Sequence, residues 1–154
     1  MTRARPRLVT RKRRKGSAIV EFCLGSGVLI ATFAGTFHFG YTFLQYNKLE
    51  NAVVQGARYA AIMPYNSPSA TPSAGFVAAV RNVSLYGSPT AGASPPLSGL
   101  SPEHIILTVT FTNGAPSMMS VAVTGYVVDT VFGSSALVNK PKATFPYHGI
   151  WSPY

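Results

Sequence analysis

The chain has 154 residues, enough for one modest domain and an appendage, and its 47% hydrophobic and 11% charged content is unusual for a freely soluble protein. The formal charge of +9 suggests a nucleic-acid partner until it is located: eight of the 13 Lys and Arg fall in residues 1–15, and from Gly16 onward five basic residues face four acidic ones. That distribution argues against nucleic acid, and the single cysteine, Cys23, excludes an internal disulfide and a Cys-rich zinc site.

In chain order, the first element is a basic leader over residues 1–16 that ends RKRRKG. No Asp, Glu, Lys or Arg occurs in residues 22–47, whereas about 20 apolar residues suffice to cross a bilayer as a helix. The large apolar side chains of this run favour insertion by on the order of −4 kcal/mol before Gly, Ser, Thr and His38 subtract from it. Cations immediately before such a run put the N-terminus in the cytoplasm and the remainder outside the inner membrane. A nuclear-localisation reading of RKRRK does not account for the adjoining run, and a cleaved secretory signal has a shorter apolar core and an A-x-A site.

Two features of the run ask for a cause. Glu21 places a carboxylate inside it, and a charge at the centre of a bilayer costs roughly 2.5–3.5 kcal/mol on insertion scales. Cleavage after Gly16 would make Ser17 a new N-terminus, with its ammonium about one helical turn from Glu21, and a pair in a low-dielectric setting offsets much of the burial cost. Gly27, Ala31 and Gly35 fall four apart on one helix face, with Thr36 and Gly40 beside them, and small residues let a second helix approach closely in lipid.

The basic leader, the Gly, four residues, then Glu21 and Phe22 (G-SAIV-EF) resemble the processing site of type IV prepilins. The continuation, VEFCL followed by FHFGYTFLQYNKLENAVVQGARYAA at residues 37–61, is similar to the TadE/TadG-like family of the tight-adherence (Tad, or Flp) pilus system. The likeness covers roughly residues 14–63 and rests on the paired VEF and GAR elements. It departs from the family where a Pro after the VEF element is replaced by Gly27. The resemblance implies that a prepilin peptidase cuts between Gly16 and Ser17, that Glu21 and Phe22 take part in subunit assembly, and that the Glu21 carboxylate receives a neighbour's N-terminal amine.

Beyond the run, Leu49, Val53, Gly56, Ala60 and Met63 recur at helical spacing, so the helix continues to about Met63, where Pro64 halts it. Gly56 joins Gly27, Ala31 and Gly35 as a candidate packing position. Residues 64–74 form a Pro/Ser-rich connector, Phe76, Val80 and Val83 predict a short helix from about Ala74 to Leu85, and residues 87–102 form a second loop. The period then becomes two: Ile105, Leu107, Val109 and Phe111 read as a half-buried strand, and Met119, Val121, Val123 and Val127 continue after a six-residue turn, TNGAPS. A weak helix or loop over 129–138 and an edge strand near 143–150 complete the pattern, since Pro141 and Pro146 disfavour a central strand.

The expected fold is α+β: a long N-terminal helix, transmembrane over 17–44 and extracytoplasmic over 45–63, packed on a small antiparallel sheet within a head of residues 64–154, as in type IV pilins. The ionisable groups after Glu21 are few, and Glu103-His104 matches neither a paired-carboxylate nor an H-E-x-x-H pattern. GSG at 25–27 lies in an apolar helix, where phosphate binding makes no sense. The aromatic C-terminal run YHGIWSPY, with Tyr147, Trp151 and Tyr154, suits protein contacts or a small core.

The expectation is a structural, non-enzymatic minor pilin or pseudopilin with no cofactor and no metal. Its partners would be other pilin subunits, prepilin peptidase, the inner-membrane assembly machinery and the membrane, and its location the inner membrane or an extracellular pilus. An uncleaved, membrane-anchored periplasmic assembly or binding module is the alternative. A tethered hydrolase would instead require His104, Asp129 or His148 to gather in one pocket.

Overall fold

A computed structural model describes residues 15–90, 92, 94–95, 97–130 and 133–153. The expected leader therefore lies, up to residue 14, outside the described residues, as does Tyr154. The elements are α1 (Lys15–Ile62), α2 (Ala74–Tyr86), a 3-10 turn (Pro102–His104), β1 (Ile105–Thr112), β2 (Ala115–Val123), β3 (Val127–Thr130), β4 (Gly133–Ala136) and β5 (Lys142–Pro146). The fold is α+β, a long apolar N-terminal helix followed by a small antiparallel sheet, the order of parts found in pilins. The chain divides into two compact units between Phe37 and His38.

In the first unit, α1 is apolar on every side, as expected of a helix whose surroundings are not water. Phe22, Leu24, Val28, Ile30, Phe33 and Phe37 are each at least two-thirds exposed. In the second unit the same helix becomes one-sided. Leu49, Ala52, Val53, Ala57, Ala60 and Ala61 are buried, whereas Lys48, Glu50, Asn51, Gln55 and Arg58 are exposed.

Helix α2 begins at Ser73, whose Oγ accepts from the Phe76 N–H, and ends at Gly87, which adopts the left-handed conformation and donates its N–H to the Val83 carbonyl. Its Phe76, Val80 and Leu85 join the α1 face, Ile105 and Val109 of β1, and Met119, Val121 and Val123 of β2 in one hydrophobic core. Gly56 is where α1 and α2 come closest. A Cβ there would collide with the Ser84 hydroxyl and lie 3.2 Å from Ser84 Cβ and 3.4 Å from the Val80 carbonyl oxygen, so only Gly fits without a shift. Arg81 Nε donates to the Ile105 carbonyl at 3.0 Å, tying α2 to the start of β1.

The main sheet has the order β1-β2-β5, antiparallel throughout, with β5 on the edge as Pro141 and Pro146 require. The β1–β2 connection differs from expectation: it is a tight two-residue turn, not a six-residue loop. Thr112 pairs with Ala115, and Asn113 and Gly114 take φ of 53° and 78°, the left-handed pair of a type I′ turn. Pro116 joins the strand because the register shifts beside it. There Ser117 is the extra residue of a bulge, and its hydroxyl donates to the Thr110 carbonyl at 3.0 Å.

Residues 129–138 also differ from the expected helix or loop. β3 and β4 form a separate antiparallel ribbon, with Val127 opposite Ala136 and Asp129 opposite Ser134. Its start is held by the Gly125 N–H donating to the Leu137 carbonyl and the Leu137 N–H donating to that of Tyr126. The expected strand over 143–150 ends at Pro146, and the tail that follows closes over the end of α1. The N–H groups of His148 and Gly149 both donate to the Ala61 carbonyl, so orphan acceptors of the last helical turn find partners there.

Candidate functional site

The candidate site is the inner part of α1, and its geometry follows from what the helix does with its polar groups. In lipid no water is at hand to satisfy a hydroxyl, so each must find a partner on the helix itself. Ser26 Oγ donates to the Cys23 carbonyl, Thr32 Oγ1 to Val28 and Thr36 Oγ1 to Thr32, at 2.9–3.0 Å. The same device recurs in the second unit, where Thr42 Oγ1 donates to the His38 carbonyl at 3.0 Å. These side chains thus present methyl and methylene groups outward, and α1 is the one helix among the described residues long and apolar enough to cross a membrane.

Gly16, Ser17, Glu21 and Phe22 are all exposed on this helix, Phe22 at 75%. Glu21 makes no ion pair among the described residues, and the spacing from Ser17 to Glu21 is one helical turn, roughly 6 Å along the axis. Gly27 and Ala31 are exposed and Gly35 half-buried, and nothing lies within 4 Å of a Cβ built on Gly27 or Gly35. These three positions form an open strip in the first unit. Gly56, grouped with them from the sequence, is occupied: it belongs to the core between α1 and α2.

Two clusters of polar and aromatic side chains in the second unit bear on a candidate site. His104 and Asp129 line one depression of about 330 Å³ together with Gln45, Gly99, Tyr126 and Val127. His104 Nδ1 accepts the Ser101 N–H at 3.0 Å and lies 2.9 Å from the Ser101 hydroxyl, while that hydroxyl also reaches Glu103 at 2.9 Å. This is the cap of the 3-10 turn, and it fixes the imidazole tautomer with the proton on Nε2. Asp129 Oδ1 accepts from Ser134 Oγ across the β3–β4 ribbon. No hydrogen bond joins His104 to Asp129 among the described residues, and His148 lies apart, its main chain bonded to Ala61. The depression was not legible in the sequence, because 24 residues, including strands β1 and β2, separate His104 from Asp129.

The second place is an aromatic lock at the far end of α1. Tyr147 Oη accepts the Tyr65 N–H at 2.9 Å and lies 3.1 Å from the Met63 carbonyl and 2.8 Å from that of Ile150. Trp151 Nε1 donates to the Ser67 carbonyl at 3.2 Å. Tyr65 stacks edge-on against Phe76, Phe111 and Tyr147. Burial raises the phenol pKa values of Tyr65 and Tyr147 above the usual 10.0; hydrogen bonds from Ser67 and from the Tyr65 main chain, respectively, act against this. Tyr126 is raised chiefly by burial and further by Tyr41 and Asp129.

Compared with known proteins, residues 16–58 match the family model described as TadE-like protein. The resemblance read from the VEF and GAR elements therefore holds over the inner part of α1 and most of its outer part. No curated protein and no solved structure matches the chain.

Proposed function

We propose that this chain is a structural, non-enzymatic subunit of a Tad-type pilus, a minor pilin or pseudopilin assembled through its N-terminal helix. The observation that carries the reading is the inner part of a TadE-like segment, up to Phe37, whose large apolar side chains are unburied while Ser26, Thr32 and Thr36 are bonded back to the helix. Such a surface is complete in lipid or against other helices and is unfavourable in water. The chain is made as a precursor with its leader in the cytoplasm, held in the inner membrane by one pass, and cut by prepilin peptidase between Gly16 and Ser17.

Assembly then follows from charge and packing. The ammonium freed at Ser17 and the Glu21 carboxylate are opposite charges in a low-dielectric setting, and pairing them between neighbouring subunits fixes the axial register of one helix against the next. Phe22 fills the space beside that pair, and the open strip of Gly27, Ala31 and Gly35 lets helices approach closely. The head has its own hydrophobic core and is carried along with the helix. Replacing Glu21 with Ala leaves membrane insertion intact and reduces the amount of this chain recovered in sheared pili. An unchanged yield contradicts the role given to the carboxylate.

A further inference from the structure

We infer that the β3–β4 ribbon is a membrane-resting foot, which seats the head on the outer face of the bilayer that α1 crosses. The inference rests on the reading that α1 spans a membrane, and it adds a second, peripheral contact with the same lipid.

Three observations in the second unit locate the ribbon. Thr42 Oγ1 lies 3.1 Å from the Asp129 carbonyl, so it bridges β3 and the His38 carbonyl. Gln45 lines the same depression as Tyr126, Val127 and Asp129. Tyr126 is close enough to Tyr41 for the Tyr41 phenol to help raise the Tyr126 pKa. The ribbon thus sits beside α1 at residues 41–45.

Residue counting then fixes the depth of that level. The charge-free run begins at Phe22, about 20 helical residues fill a hydrocarbon core, and the expected span ends at Leu44, so its outer boundary falls between about Tyr41 and Leu44. The aromatic side chains Tyr41, Phe43 and Tyr46 have the composition of an interfacial belt, and all are exposed. A ribbon tied to Thr42 therefore lies in the headgroup layer.

The surface of the ribbon suits that layer. Val127 is 53% exposed and Val138, just past β4, is 71% exposed. Gly133, Ser134, Ser135 and Ala136 are all exposed, and the sequence has no charged residue between Asp129 and Lys140, where an exposed lysine begins the approach to β5. Exposed valines scattered on a surface need no explanation. Exposed valines at the start of and just past a ribbon whose sequence carries one charge, Asp129, level with the end of a membrane span and followed by Lys140, suit a segment that lies at a lipid interface.

The test uses the full chain, with Cys23→Ser, in vesicles of phosphatidylethanolamine and phosphatidylglycerol. An environment-sensitive fluorophore is attached in turn at Val138→Cys, at Ile150→Cys and at Leu29→Cys. Ile150 is 72% exposed at the opposite end of the head, and Leu29 lies within the span. Lipids carrying a nitroxide near the headgroup should quench the label at 138 several-fold more than that at 150, and deep nitroxides should quench the label at 29. Equal quenching at 138 and 150 with a quenched label at 29 overturns the foot alone. An unquenched label at 29 overturns the spanning reading and the foot with it. A label at 138 that turns blue only as protein density rises, without lipid quenching, assigns the ribbon to a second copy of the chain and also overturns the proposal.

Discussion

The two stretches of α1 in the two units share a helix and differ in almost everything else. Up to Phe37 the large side chains Phe, Leu, Ile and Val point in all directions and are exposed, and the small residues stand open. From Leu49 to Ala61 the large residues are fewer, the buried stripe is mainly Ala, Gly and Val, and the opposite face is polar. The first stretch needs a surrounding medium or partner, whereas the second already has one in its own chain. Total hydrophobicity reports that a segment avoids water, and its periodicity reports whether the fold itself supplies the shelter.

This contrast is broken most forcefully at Tyr65, which is fully buried among Phe76, Phe111 and Tyr147. Tyr65→Ala is expected to destabilise the head by about 3–5 kcal/mol, read by urea unfolding of the full chain in micelles with its single tryptophan, Trp151, as probe. Gly56→Val overpacks the contact with Ser84 and Val80 and costs about 1–3 kcal/mol. Combining Gly56→Ala with Ser84→Gly should cost less than the two single changes added together, since the second makes room for the first.

Tyr147→Phe removes the phenol from the Met63 and Ile150 carbonyls and from the Tyr65 N–H, which keeps the Ile150 carbonyl as acceptor, and should cost about 0.5–1.5 kcal/mol. The same lock predicts a pH dependence. The folded state raises the pKa of Tyr65, Tyr126 and Tyr147, so it favours the neutral phenols. Their contribution is complete below the unfolded value near 10 and is lost as pH rises through the higher folded values. The urea midpoint should fall as pH rises above about 10, less steeply in Tyr147→Phe.

At the other extreme, Phe37→Ala removes a side chain that is 78% exposed and should change head stability by less than about 0.5 kcal/mol. A large loss there would mean that the first stretch, too, is sheltered by its own chain.

Much of this was legible from composition and period. The charge-free run, the Leu49-to-Met63 stripe, the short helix around Phe76 and the alternation from Ile105 all correspond to elements of the structure. What was not legible depended on pairing. The tight turn at Asn113-Gly114 was obscured because Pro116 argues against a strand, and only the bulge at Ser117 lets it sit in one. β4 is Gly-Ser-Ser-Ala, with no β-branched residue, and it is a strand only because β3 lies beside it. Tyr147 belongs to an aromatic run that was noticeable, but its three main-chain partners come from chain segments that meet only in the fold.

For the candidate site the balance is similar. That the inner stretch is an exposed apolar helix was legible, because a long run without charged residues or a polar face reports it from composition alone. The separate fate of Gly56 was not, since one glycine in a stripe looks like another until Ser84 is placed against it.

The central claim is that the exposed stretch of α1 leaves the bilayer as a processed helix packed among other subunits. N-terminal sequencing of this chain from sheared, purified surface appendages tests it most directly. The account predicts a chain that begins at Ser17. A chain found solely in the inner membrane, with its arginine-rich leader still attached, contradicts it.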